Sequence, residues 1–303
     1  MSAGLGKILV IRGGAIGDFI LTLPALTALR QQFPCARLEV LGYPHIAQLA
    51  FAGGLVDNVQ PIEARGLAGF FARGGKLSPD LADYFSGFDL IVSYLYDPDL
   101  IFQTNVASCA RGQFIAAPHR PEERDGIHAA RVFLQPLERL AIFEADPVPR
   151  LAIPNQLGTR NQIALHPGSG SESKNWPEAR WAELLGRLVG ETQINLLLVG
   201  GEAEGERLQR LAAKLPSARY ALARSLPLAD LAVRLRSSVG FIGHDSGISH
   251  LAAALGLSCI VLWADTMAAI WRPQGPQVVV LREAAGLSTL SVQRVVEELR
   301  RLL

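Results

Sequence analysis

The stretch VGFIGHDSGISHLAAALGLSCIVLW, residues 239–263, decides how this chain is read. An apolar run ends at Gly243 and a polar turn, His244-Asp245-Ser246-Gly247, follows it. A helical stretch from Ser249 to Leu255 turns at Gly256, and a second apolar run spans Cys259 to Trp263. Strand, turn, helix and strand at this spacing predict a parallel crossover. Both runs are continuously apolar, as strands covered on both faces are. Working outward, the same cadence predicts strands at 7–12, 37–42, 58–62, 89–93 and 113–117, with a helix at 21–32. It predicts further strands at 162–166, 195–199 and 278–281, and helices at 177–189, 204–214 and 291–303.

The pattern occurs twice, separated by DPVPRLAIP (146–154), whose three prolines disfavour helix and stiffen the chain. With 303 residues against about 150 per typical domain, two domains follow, 1–150 and 151–303. The expected fold class is α/β, two Rossmann-like doubly wound parallel sheets facing across a cleft, with ligands at the carboxyl ends of the strands.

Composition narrows the function. Hydrophobic residues at 49% and charged residues at 19% supply two cores and exclude disorder and coiled coil. A formal charge of +1 without a Lys/Arg run speaks against nucleic acid as a partner. Cys35, Cys109 and Cys259 are far apart and form no CxxC pair, which fits a reducing, cytoplasmic setting. No signal-peptide core and no run of 18 uncharged apolar residues is present, so contact with a membrane would be peripheral, at the inner face.

The chemistry is expected in loops after strands. RGGAIGD (12–18) brings Gly14, Gly17 and Asp18 to the start of the first helix. Its glycines let backbone amides face an anion or sugar, and Asp18 can accept a proton from a hydroxyl or cap the helix. Arg12 occupies the place of the first glycine in the dinucleotide fingerprint, and the second strand closes as VLGYP without an acid, both of which weigh against a nicotinamide dehydrogenase. HPGSGSESKNWP (166–177) offers Ser169, Gly170 and Lys174, a loop able to close around phosphate oxygens without Walker A spacing. VGGEAE (199–204) presents Glu204 as an acceptor for sugar hydroxyls or as a dipole partner of its helix. GHDSGISH (243–250) places Asp245, Ser246, Gly247, Ile248 and His250 around a helix N-terminus whose free amides suit a diphosphate. Asp97 and Asp99 form an Asp-x-Asp pair, but Pro98 and the apolar run behind it read as a helix start, so no metal site is assigned.

These four motifs, in this order, resemble glycosyltransferase family 9, the ADP-heptose:lipopolysaccharide heptosyltransferases, along nearly the whole chain. The resemblance implies a GT-B fold and inverting, metal-independent transfer from a nucleotide-diphosphate sugar, with no further cofactor. The donor would be held by the C-terminal domain and the acceptor, an anionic glycolipid or glycan, by the N-terminal one. Carried over, Asp18 is the general base and Lys174 the phosphate-binding lysine. Asp245, Ser246, Gly247, Ile248 and His250 are the donor site, Glu204 contacts donor hydroxyls, and Ser169 sits at a hydroxylated position. The last helix would cross back to the first domain. Arg65, Arg73, Lys76, Arg111, His119 and Arg120 are candidates for acceptor phosphates, with scattered surface cations as the plainer reading. A non-catalytic nucleotide-sugar-binding protein is the alternative.

Overall fold

The apolar runs become the central strands of two separate sheets. The computed structural model describes residues 6–156, 158 and 161–302, in two units that end at Pro147 and begin at Val148. The first unit runs β1 (Lys7–Arg12), α1 (Ile16–Gln32), β2 (Arg37–Gly42), α2 (Pro44–Ala52), β3 (Asn58–Pro61), α3 (Pro79–Ser86), β4 (Leu90–Ser93), α4 (Ile101–Ala107), β5 (Gln113–Ala116) and α5 (Ala129–Leu134). Its strands are all parallel, in the order β3-β2-β1-β4-β5. Neighbouring β1 and β4 therefore lead into crossovers that depart in opposite directions, which opens a crevice at their carboxyl ends.

Burial explains why these strands are central. Leu9 and Ile11 of β1 pack with Leu41, Phe70, Phe85, Ile91 and Phe102 in one cluster. Each such side chain contributes about 1.5–3 kcal/mol on burial. Phe19, Ile20, Leu23 and Leu26 on α1 are buried as well.

The second unit runs β6 (Gln162–His166), α6 (Glu178–Glu191), β7 (Asn195–Gly200), α7 (Gly205–Ala212), β8 (Tyr220–Arg224), α8 (Leu228–Arg236), β9 (Gly240–His244), α9 (Gly247–Ala254), β10 (Ser258–Leu262), α10 (Ala268–Trp271), β11 (Val278–Leu281) and α11 (Val292–Leu302). The order is β11-β10-β9-β6-β7-β8, again all parallel. Its reversal point lies between β6 and β9, where Leu165 pairs with Ile242 and His166 with Gly243, so β9 runs one residue past the end of β6. The proline-rich segment is stitched into this unit from Leu151 onward. The Leu151 amide donates to the Ala254 carbonyl at 2.8 Å, and Arg236 donates to the carbonyl of Ile153 at 3.2 Å. On α11 the stripe Val292, Val295, Val296 and Leu299 joins the same cluster as Ile163, Leu188 and Ile260. Leu303, the end of the predicted last helix, lies outside the described residues.

Several elements differ from the sequence reading, which gives no bounds for helices α2 to α5, α8 or α10. α1 begins at Ile16 rather than 21 and α9 at Gly247 rather than 249, because both helices draw their turn glycines into the first turn. β8 was not predicted: YALAR is a half-exposed edge strand with only Ala223 buried. No helix among the described residues is long and apolar enough to cross a membrane.

Candidate active site

Each reversal point gathers its own set of functional side chains. In the first unit, β1 delivers Arg12 into a buried position, 3% exposed. Its Nη1 donates to the carbonyl of His119 at 2.8 Å and more weakly to that of Tyr94 at 3.4 Å. Nη2 donates to the Asp18 carbonyl at 3.3 Å and lies 3.8 Å from the Asp18 carboxylate. The guanidinium stacks 4.4 Å from the ring centre of Phe133 and 5.7 Å from that of Tyr94, a cation–π arrangement. Burial pulls the Arg12 pKa down, and the nearby Asp18 charge opposes that shift. The same burial raises the Tyr94 hydroxyl, which donates to the Phe133 carbonyl at 2.6 Å.

Asp18 stands in the first turn of α1, where the helix dipole favours a carboxylate. One oxygen, Oδ2, accepts the Ala15 amide at 3.0 Å; Ala15 is the N-cap residue, and Asp18 closes the turn from the third helical position, as in a capping box, rather than as the N-cap itself. The side chain is 32% exposed, which leaves it accessible. Gly14 has φ +95°, and a Cβ there would sit 2.8 Å from Asp18 Oδ2. Glycine is therefore required beneath the carboxylate. Gly17 lies beside Asp18 in the same turn.

In the second unit, residues 167–176 follow β6 while Asp245 and Ser246 follow β9. Lys174 Nζ donates to Asp245 Oδ2 at 2.7 Å, and the Thr266 hydroxyl donates to the same oxygen at 2.6 Å. Thr266 is fixed in turn, its carbonyl accepting the indole N–H of Trp263 at 2.7 Å. Ser246 caps α9 in an extended conformation, and the amides that follow it, Gly247 and Ile248, have no partner within the helix. Its hydroxyl lies 3.3 Å from His166 Nδ1 and 3.4 Å from Ser249 Oγ. The Ser249 hydroxyl donates to the His244 carbonyl. His250 is buried in the first turn of α9.

Ser169 is buried with its hydroxyl donating to the Ser171 carbonyl at 2.7 Å, which makes it a local brace of its loop. Gly170 is exposed and uncrowded. Glu204 accepts the Gly201 amide at 2.9 Å and lies so close that a Cβ on Gly168 would be 2.1 Å from its Cγ. Asp97 accepts the amides of Phe102 and Gln103 at 3.1 and 2.9 Å and so caps α4. Among the described residues no group of three or more His, Cys, Asp or Glu could hold a metal ion.

Sequence reasoning passed over four residues that organise this site: Arg207, Thr266, His166 and His244. Arg207 on α7 donates to the Pro167 carbonyl at 3.1 Å and to both oxygens of Glu172 at 2.6 and 2.7 Å. That pairing holds the Glu172 carboxyl below its ordinary value. His244 Nε2 accepts the Trp176 amide at 2.8 Å, and its Nδ1 lies 3.1 Å from the Gly168 carbonyl. Burial, with the neighbouring His244, pushes His166 down to about 3. His244 is pushed to about 4 by burial, which the Gly168 contact opposes. The available signal was positional, since both histidines are the last residues of the two strands at the reversal point.

Residues 140–298 match glycosyltransferase family 9 (heptosyltransferase). A putative glycosyltransferase of Haemophilus influenzae is 26% identical over 88% of this chain and 86% of its own length. The solved E. coli ADP-heptose lps heptosyltransferase II superposes with a TM-score of 0.80 at 18% identity, covering 98% of each chain. An E. coli heptosyltransferase solved with ADP gives 0.78 at 20% identity, covering 98% of this chain and all of the other. The two parallel-sheet units therefore have the GT-B fold of the heptosyltransferases, and the chain belongs to glycosyltransferase family 9 as a heptosyltransferase-like enzyme.

Proposed function

We propose that this enzyme moves a heptose from ADP-heptose to a hydroxyl of a lipopolysaccharide-core glycan, with inversion and without a metal. The donor class is supported by the E. coli relatives, one named for ADP-heptose and lipopolysaccharide and one solved with ADP. The observation that carries the reading is the convergence of Lys174, Asp245 and the amides of Gly247 and Ile248 at the β6/β9 reversal point. An ammonium and unpaired helix-terminal amides stabilise a departing diphosphate without a cation.

In this reading the second unit holds the donor. Asp18 of the first unit takes the proton of the acceptor hydroxyl as its oxygen bonds to the anomeric carbon. The bond from that carbon to the diphosphate breaks, its electron pair leaves on the ADP oxygen, and Lys174 with the α9 amides takes up the developing charge. The acceptor glycan is the anionic partner, and any contact with the membrane is at its surface.

The test is a transfer assay with ADP-heptose and a heptose-deficient lipopolysaccharide core. Acceptor mass should rise by one heptose with ADP released, the new linkage should have inverted configuration, and chelator should leave the rate unchanged. Absence of transfer together with absence of ADP binding would overturn the reading.

A further inference from the structure

We propose that His244 is a positioning residue for the diphosphate-binding loop: its neutral imidazole clamps residues 168–176 at both ends and so presents Lys174. This rests on the reading of Lys174 as a donor-binding group.

The tautomer follows from the contacts. The Trp176 amide can only donate, so Nε2 is the acceptor at 2.8 Å; the proton of a neutral ring then sits on Nδ1 and donates to the Gly168 carbonyl at 3.1 Å. One side chain thus occupies a backbone carbonyl at the start of the loop and a backbone amide at its end. Ser169 is one residue inside the first anchor and Lys174 two residues inside the second. The ring is fully buried and lies edge-on to Trp181 with centroids 5.5 Å apart, so it has little freedom to follow a moving loop.

The next residue completes the arrangement. Asp245 takes the Lys174 ammonium at 2.7 Å, so adjacent residues at the end of β9 hold the backbone around the lysine and the tip of its side chain. Arg207 adds anchors at Pro167 and Glu172 from α7. A loop fixed at 167, 168, 172 and 176 before ligand arrives has little ordering entropy left to lose on binding.

The amides of the side-chain replacements separate the two arms of the clamp. Asn at 244 can reach the Gly168 carbonyl but not the Trp176 amide; Gln can reach the Trp176 amide but not the carbonyl. Calorimetry with ADP should show affinity lowered about tenfold in both His244→Asn and His244→Gln, the size of one lost buried hydrogen bond. Combined with Lys174→Ala, neither substitution should lower affinity further, because both routes act through the same ammonium. An equal loss in the presence and absence of Lys174 would show that His244 merely supports the fold and would overturn the proposal. Unchanged affinity in both His244 variants would overturn it while leaving Lys174→Ala as the test of the donor reading; no ADP binding by the unaltered enzyme would instead sink that reading.

Hydrogen exchange on the unaltered enzyme decides the matter even if the variants fold poorly. The Trp176 amide should be as protected without ADP as the amides of β9. Rapid exchange that slows only on adding ADP would mean that the ligand, and not His244, orders the loop.

Discussion

Lys174 and Thr266 converge on a single oxygen of Asp245, at 2.7 and 2.6 Å, although they come from opposite flanks of the sheet's reversal point. The Asp245 side chain is only 11% exposed, so both donors meet an oxygen largely withdrawn from water. Removing the lysine subtracts a cation from the proposed diphosphate site; removing the threonine hydroxyl leaves the cation and loosens its anchor.

Lys174→Ala should therefore weaken ADP binding by one to two orders of magnitude, in line with about 1.5–3 kcal/mol for a charged hydrogen bond. Thr266→Val should cost about 1 kcal/mol of stability and only several-fold in ADP affinity. Calorimetry and denaturant unfolding measure the two, and an ADP affinity indifferent to Lys174→Ala contradicts the proposed role.

Asp18→Asn preserves an acceptor for the Ala15 amide and removes the base. Stability and ADP affinity should stay within a few-fold, while turnover falls by about 10²–10⁴. Normal turnover in this variant would reduce Asp18 to a helix cap.

Gly14→Ala places a methyl group 2.8 Å from Asp18 Oδ2 at φ +95°. About 1–2 kcal/mol of destabilisation is expected from the backbone alone. Turnover should drop more than ADP affinity, because the disturbance falls on Asp18 in the first unit. Equal losses in both would contradict the assignment.

Acid should destabilise the fold before its carboxylates titrate. His166 and His244 have folded pKa values of about 3 and about 4, against roughly 6.5 when unfolded. Below about pH 6.5 the unfolded chain binds the extra protons, so the stability these neutral rings confer is complete above that pH and is lost as pH falls toward their folded values. Each ring contributes up to about 1.4 kcal/mol per pH unit in that window. Glu172 and Glu178, lowered by their hydrogen bonds to Arg207 and Arg210, add their loss only below their ordinary 4.5. Melting temperature should be level above about pH 7 and fall between about pH 6 and 4.5. His244→Asn should flatten that fall; a level curve in the unaltered enzyme would mean that the rings accept protons without unfolding.

The sequence reading gives the observed bounds of β1, β2, β6 and β11. β1, β2 and β6 are buried along most of their length, as strands covered on both faces are, whereas β11 is a half-exposed edge strand marked by its run of three valines. β8 escaped because YALAR offers a run of only four apolar residues, two of them alanine, at a sheet edge where Ala223 alone is buried. Asp18, Lys174, Asp245 and the α9 amides were legible because glycines and strand ends frame them in one short window each. Thr266 and Arg207 were not, since each acts on a loop tens of residues away and carries no local motif. His244 lies inside GHDSGISH yet carries no local sign of its role, because that role depends on which backbone groups the β6 loop brings to the ring.

The pairing of Leu165 with Ile242 has a consequence for how the protein is made. Trp176 and its histidine acceptor are 68 residues apart. The β6 loop can settle only after β7, β8 and their helices have been passed over and β9 has joined the sheet. Contacts of such long range carry a heavy loop-closure cost and form slowly. A nascent chain halted before β9 would expose the β6 flank and hold Lys174 in no defined place, so competence to grip a nucleotide should emerge late, with the closing of the sheet rather than with its first strands.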